Sequence, residues 1–60
     1  METYSKKFVN DLEGLLSDLV TIQETSNTRL VMFSLGGGRE LHFYKNSGED
    51  KYIVLENNIS

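Results

Sequence analysis

The feature that most constrains the fold is a change of hydrophobic pattern near residue 25. Before it, between Tyr4 and Ile22, apolar side chains recur at intervals of three and four residues, the spacing that lines one face of an α-helix. After it, β-branched and aromatic residues form short runs separated by glycine-containing turns, which is typical of β-strands. The sequence therefore predicts an amphipathic helix followed by an antiparallel sheet.

The elements can be placed along the chain from these patterns. Thr3 or Ser5 can cap the helix at its start, because a hydroxyl there accepts a hydrogen bond from the first helical turn. The glycine run 36–38 and the segment 46–48 suit the turns of two hairpins. We expect a single α+β domain over residues 1–60, with one N-terminal helix packed on a three-stranded antiparallel meander (α-β-β-β). Its predicted elements are a helix over about 4–22 and strands over about 28–35, 39–45 and 51–56.

The pairing of the strands determines which side chains share a face of the sheet. The two turns suggest that Leu35 pairs with Arg39 and that Lys45 pairs with Glu49. These pairings bring apolar side chains of all three strands together on one face of the sheet, and the helix should cover that face. The core predicted in this way consists of Phe8, Leu12, Leu15, Leu16, Leu19, Val31, Phe33, Leu35, Leu41, Phe43, Ile53 and Leu55.

The opposite face of the predicted sheet is more apolar than a solvated face should be. Contiguous apolar area rimmed by polar groups usually marks an association surface. A chain of 60 residues without cysteine also lacks the disulfides that stabilise many small domains, which favours self-association. We therefore expect a partner or dimer interface made of Leu30, Met32, His42, Tyr44, Tyr52 and Val54, with Arg39 and Glu40 at its rim.

The negative charge is concentrated in the first part of the chain. The net charge is −3, and residues 1–24 hold five acidic against two basic side chains. The acids Asp11, Glu13 and Asp18 lie outside the apolar stripe of the predicted helix, and this acidic helix face could imitate phosphates and block a nucleic-acid-binding groove. A second alternative is a dimer that binds nucleic acid with its sheet. We do not expect nucleic acid as a partner, because basic side chains are not clustered.

The sequence gives little support for catalysis or for a bound metal ion or cofactor. His42 is the single histidine and the chain has no cysteine, so histidine-rich and thiolate metal sites are excluded. The three consecutive glycines join two predicted strands, whereas a phosphate-binding loop leads from a strand into a helix. We expect no enzyme activity, no cofactor and no metal site.

These observations favour a small regulator or inhibitor that binds a larger protein and occupies part of its surface, as a homodimer. Short proteins of phages and mobile elements often act in this way. No apolar run approaches the ~20 residues of a membrane span. We expect a cytoplasmic protein without membrane contact.

Overall fold

A computed structural model describes residues 2–58 and shows an antiparallel five-stranded sheet with one short helix. The expected α-β-β-β fold with a three-stranded meander is therefore wrong. The strands lie in the order β1-β5-β4-β3-β2 across the sheet. In chain order the elements are β1 (Thr3–Ser5), α1 (Lys6–Leu15), β2 (Val20–Glu24), β3 (Thr28–Gly36), β4 (Arg39–Asn46) and β5 (Lys51–Asn58). Met1, Ile59 and Ser60, which the expected domain over 1–60 includes, lie outside the described residues.

The helix is shorter than the predicted span of 4–22. It begins after Ser5, whose Oγ accepts a hydrogen bond from the backbone N–H of Phe8 at 3.1 Å. It ends at Leu15, and Leu16 leaves the helical region with φ −116° and ψ 37°. The later part of the predicted helix contains consecutive β-branched residues, which favour a strand. The structure accordingly has strand β2 at Val20–Glu24, paired with β3.

Strand β1 is an edge strand that the sequence pattern does not predict. It pairs antiparallel with β5, with Tyr4 opposite Tyr52. The chain then enters α1 and returns to the sheet at β2, on the far edge. The helix therefore covers one face of the sheet, which we call the core side.

The first hairpin has the pairing that the sequence predicts at its centre. Phe33 lies opposite Leu41 and Val31 opposite Phe43. Near the turn, a bulge between Ser34 and Gly36 replaces the expected pair of Leu35 with Arg39, and Arg39 pairs with Gly36. The three glycines of the turn have φ values of 84°, 63° and 76°, a region that side chains disfavour.

The second hairpin has a different register from the predicted one. Tyr44 lies opposite Ile53 and Phe43 opposite Val54, which is three residues away from the register that a Lys45–Glu49 pair would give. An odd shift moves every side chain of a strand to the other face. Tyr52 and Val54 therefore belong to the core side, and the predicted core residue Ile53 lies on the opposite face.

The core is small and is built around aromatic contacts. Its buried residues are Val9, Val31, Phe33, Phe43 and Tyr52, and Tyr4, Leu12, Leu16, Val20, Leu41 and Val54 pack against them. The rings of Phe33 and Phe43 meet edge to face with centroids 5.8 Å apart. Five predicted core residues are instead exposed to solvent: Phe8, Leu15, Leu19, Leu35 and Leu55. Leu19 lies beyond the end of the helix, Leu35 lies at the bulge of the first hairpin, and the shifted second hairpin moves Leu55 to the opposite face.

Candidate protein-binding face

The side of the sheet opposite the helix presents two rows of side chains across the central strands. In one row, Leu30 of β3 lies opposite Tyr44 of β4, which lies opposite Ile53 of β5. In the other row, Met32 pairs with His42, and His42 pairs with Leu55. We call these six residues and the polar positions around them the outer face.

Apolar groups of the outer face remain in contact with solvent. Leu30, Met32, Tyr44 and Ile53 are partly exposed, and Leu55 is 53% exposed. Within residues 2–58, the one helix lies on the other side of the sheet. Because these side chains are already partly buried, a partner that covered them would gain only a fraction of the ~1.5–3 kcal/mol that complete burial of a fully exposed side chain contributes.

The outer face carries little charge. Among the side chains that strand alternation places on it within residues 2–55, Glu40 and Lys51 are the two full charges. The carboxylate of Glu40 lies 3.1 Å from Nε2 of His42, so it is held beside the imidazole at one end of the face. The rest of the rim consists of hydroxyl and amide groups: Thr3, Ser5, Thr21, Gln23, Thr28, Ser34 and Asn46.

A shallow groove continues the outer face toward the turn between β4 and β5. It has a volume of about 480 Å³, and its lining combines Tyr44 and Ile53 with polar Thr3 and Asn46, with Gly48 and with four charged residues: Lys45, Glu49, Asp50 and Lys51. Tyr44 also donates a hydrogen bond to the side-chain oxygen of Asn46 at 3.3 Å. The groove therefore combines an aromatic ring and an aliphatic side chain with hydrogen-bonding groups and charges of both signs, so it can receive a polar or charged side chain of a bound protein.

The structure brings together most, but not all, of the interface residues that the sequence predicts. Leu30, Met32, His42 and Tyr44 share the outer face, and Glu40 lies at its rim. Three predicted members lie on the core side instead. Tyr52 and Val54 lie there because the register of β5 is shifted, and Arg39 lies there because alternation along β4 directs its first residue to that side.

Ile53 and Leu55 belong to the outer face, whereas the sequence predicts them in the core. Residues 51–55 can be recognised as a strand from the sequence. Apolar side chains occupy both odd and even positions of this strand, so the pattern alone does not show which side chains face the core. In the structure the turn has four residues, 47–50, whereas the sequence suggests a three-residue turn, 46–48. The sequence contains no feature that distinguishes the two.

Tyr52 takes part in a polar cluster on the core side. It is 2% exposed, and its hydroxyl accepts a hydrogen bond from Nη1 of Arg29 at 2.7 Å. The same guanidinium makes two hydrogen bonds to the carboxylate of Glu13, at 3.1 and 3.2 Å, and one to Glu24 at 2.8 Å. These contacts, first of all those to Glu13, raise the pKa of Arg29 above its ordinary value, although partial burial acts in the opposite direction. The cluster joins the helix to three strands.

The predicted acidic helix face does not form a continuous acidic surface. Glu13 is turned toward the sheet and is paired with Arg29. Asp11 lies 2.9 Å from Nζ of Lys7, one helical turn earlier. Asp18 lies beyond the end of the helix, in the turn that leads to β2. The three acids therefore have different surroundings, and two of them have basic partners.

Clusters of chemically reactive side chains are not evident in the part of the chain that the structure describes. Residues 2–58 contain no group of three or more His, Asp or Glu side chains placed to hold a metal ion. No helix in this range is long and apolar enough to cross a membrane. Comparison with known proteins gave no match to a protein-family model, to a curated protein or to a solved structure.

Proposed function

We propose that this chain is a small protein-binding regulator that uses its outer face to occupy an apolar surface of a larger protein. The observation that carries the proposal is the composition of the outer face. It has an apolar and aromatic centre, few charges and a rim of hydroxyl and amide groups, which is the composition of the centre and rim of a protein–protein interface. A side chain such as Tyr44 adds a large rigid contact area with a polar end.

The partner that fits this face has a matching chemistry. Its contact surface should be apolar at the centre and uncharged over most of its area, because a buried charge without a partner is costly. One exception is the end of the face where Glu40 and His42 lie, where a hydrogen-bond donor of the partner can meet the carboxylate. The rim can exchange hydrogen bonds with backbone groups or amides of the partner.

The charges of the chain favour a protein over a nucleic acid as the partner. Binding to a phosphate backbone needs several Lys or Arg side chains on one surface. The outer face has Lys51, and Arg29 is directed to the core side, where it is paired with Glu13. The alternative of an acidic nucleic-acid mimic has weak support for a related reason, because two of its three acids are already paired within the chain.

The proposal is tested with two matched variants, Leu55→Glu and Leu15→Glu. Both introduce the same charge at an exposed leucine, one on the outer face and one on the helix. A protein captured by the wild-type chain from a cell extract is purified and titrated against all three chains. We expect Leu55→Glu to weaken binding at least about tenfold, because the charge enters the contact, while Leu15→Glu binds like the wild type.

Two further results are informative. The affinity of a protein partner should change little between low and moderate salt, whereas binding to nucleic acid would weaken about a thousandfold or more if six or more phosphates were contacted. Equal binding by Leu55→Glu and the wild type would contradict the proposal. The proposal would also be contradicted if a variant with only Asp11→Ala and Asp18→Ala lost binding, because that result would assign the function to the acidic helix face.

A further inference from the structure

The two edges of the sheet differ in how they are protected. An exposed edge strand can pair with another chain, and proteins usually prevent this with short strands, charged side chains, proline or bulges. Strand β1 has three residues and is followed at once by Lys6 and Lys7. Strand β2 has five residues, Val20-Thr21-Ile22-Gln23-Glu24, with no proline and with an unbroken register against β3. Of the two edge strands, β2 is therefore the longer and the less protected, although on the β1 side residues 54–58 of β5 extend beyond the three pairs with β1.

Hydrogen bonds at both ends of β2 show which backbone groups point to the open edge. The N–H of Ser34 donates to the carbonyl of Leu19 at 3.0 Å, and the N–H of Thr25 donates to the carbonyl of Thr28 at 2.9 Å. In an antiparallel pair, alternate residues direct both backbone groups to the same neighbour. Thr21 and Gln23 therefore face β3, so the N–H and C=O groups of the other three residues of β2 point to the edge: Val20, Ile22 and Glu24.

We propose that this edge pairs antiparallel with β2 of a second copy of the chain. In the pairing that uses all of these groups, Ile22 lies opposite Ile22 of the other copy on a two-fold axis. Val20 of each copy then lies opposite Glu24 of the other. This arrangement allows about six hydrogen bonds between the two backbones, because each of the three opposed pairs exchanges two.

The side chains of β2 are compatible with this self-pairing. Ile22 is 41% exposed on the core side, where its counterpart would cover it. The carboxylate of Glu24 lies 2.8 Å from Nε of Arg29, so its charge is offset in part within each copy, because Arg29 is shared with Glu13. The two glutamates also lie at opposite ends of the paired strands. The centre of the contact is therefore apolar and the like charges are separated, which favours a second copy as the occupant.

The area of the outer face supports the same arrangement. With strands of eight or nine residues at ~4.8 Å spacing, the part of the outer face between β2 and β5 covers roughly 500 Å². A standard protein interface uses about 800 Å² of each partner. Pairing at the β2 edge would create one ten-stranded sheet with roughly 1,000 Å² of continuous outer face. The edge pairing does not depend on the proposed function, whereas this doubled binding face does.

The test combines solution mass with residue-resolved amide exchange. Mass is measured by light scattering over a hundredfold concentration range for the wild type, Ile22→Pro and Leu55→Glu. Proline at Ile22 removes an N–H that points to the edge, so the hydrogen bonds to β3 remain. We expect the wild type and Leu55→Glu to dimerise with similar dissociation constants, and Ile22→Pro to dimerise at least about tenfold more weakly.

The exchange measurement uses the unmodified chain, so it does not depend on the folding of a variant. At concentrations where the protein is dimeric, the amides of Ile22 and Glu24 should be protected, and dilution to the monomer should remove this protection. The amides of Thr21 and Gln23, which face β3, should remain protected in both states.

Three outcomes would overturn the proposal. One is a monomer over the whole concentration range. A second is a dimer in which the Ile22 and Glu24 amides exchange rapidly. The third is a dimer that Leu55→Glu dissociates and Ile22→Pro does not, because that result would place the contact between copies on the outer face. The two proposals can be tested separately with Leu55→Glu. If this variant remains a dimer but no longer binds the partner, the edge pairing holds independently of the binding function of the outer face.

Discussion

Replacing Arg29 with methionine should remove a large part of the stability of this domain. Methionine retains the length and much of the apolar stem of arginine, so the main loss is the guanidinium and its four hydrogen bonds. Glu13, 16% exposed in the wild type, would keep a carboxylate without a cation. The buried hydroxyl of Tyr52 would lose the partner that it has at 2.7 Å.

The magnitude follows from the burial of these groups. The unpaired Glu13 carboxylate costs about 2 kcal/mol, below the figure for a fully buried pair because it is partly solvated. The hydroxyl of Tyr52 costs about 1 kcal/mol. Glu24 is more exposed and adds little. The sum of about 3 kcal/mol compares with a total of roughly 3–9 kcal/mol for a domain of this length.

Urea unfolding followed by circular dichroism, at one fixed protein concentration, measures this loss. The control is Lys7→Met, which removes the exposed ion pair with Asp11 and should leave the free energy of unfolding almost unchanged. Adding Glu13→Gln to Arg29→Met should recover about 1 kcal/mol, because the unpaired charge is removed. The reasoning would be refuted if Arg29→Met and Lys7→Met had the same stability.

Two other pairs of substitutions test the core and the backbone by the same unfolding measurement. Tyr52→Phe should lower stability by about 1 kcal/mol because the Tyr52 hydroxyl is hydrogen-bonded to a charged group, whereas Tyr44→Phe should have no measurable effect on unfolding. Equal effects of the two substitutions would contradict the assignment of Tyr52 and Tyr44 to opposite faces. Gly14→Ala should raise stability by up to about 1 kcal/mol, because a Cβ at this helical position meets no atom within 4 Å. Gly37→Ala should instead lower it by about 1 kcal/mol because Gly37 has φ +63°, and a stabilised Gly37→Ala variant would show that the turn has another conformation.

The strands after residue 25 could be predicted because local pattern and turn chemistry agree there. Strands β3, β4 and β5 begin at the residues expected from the sequence, and the centre of the first hairpin has the expected pairs. The glycines of its turn leave few alternatives, because three successive positive φ values suit glycine alone.

The N-terminal part was harder to predict because two structures fit the same apolar spacing. Leu19 and Val20 continue the helical stripe, yet pairing with β3 selects the strand that the β-branched residues favour. Strand β1 has three residues, too few for an alternating pattern to be recognised. Strand β1 is therefore determined by pairing with β5, which is distant in sequence, whereas β2 is determined by a hairpin with the next strand.

The outer face could be predicted only where the register was correct. Leu30 and Met32 follow from the first hairpin, which is closed by a glycine turn. Tyr52 and Ile53 lie on the faces opposite to those predicted, because the sequence of the second turn does not determine its length. The buried hydrogen bond between Tyr52 and Arg29 is a tertiary contact, and a hydroxyl at that position gives no sign of it in the sequence.

Tyrosine-selective labelling with detection by mass spectrometry tests the proposed function most directly. Tyr44 lies on the outer face and Tyr52 in the core, so one chain contains both a probe and its internal control. We expect labelling of Tyr44 in the free protein, strong protection of Tyr44 when the captured partner is added, and protection of Tyr52 in both states. Unchanged labelling of Tyr44 in the saturated complex would contradict a binding role for the outer face.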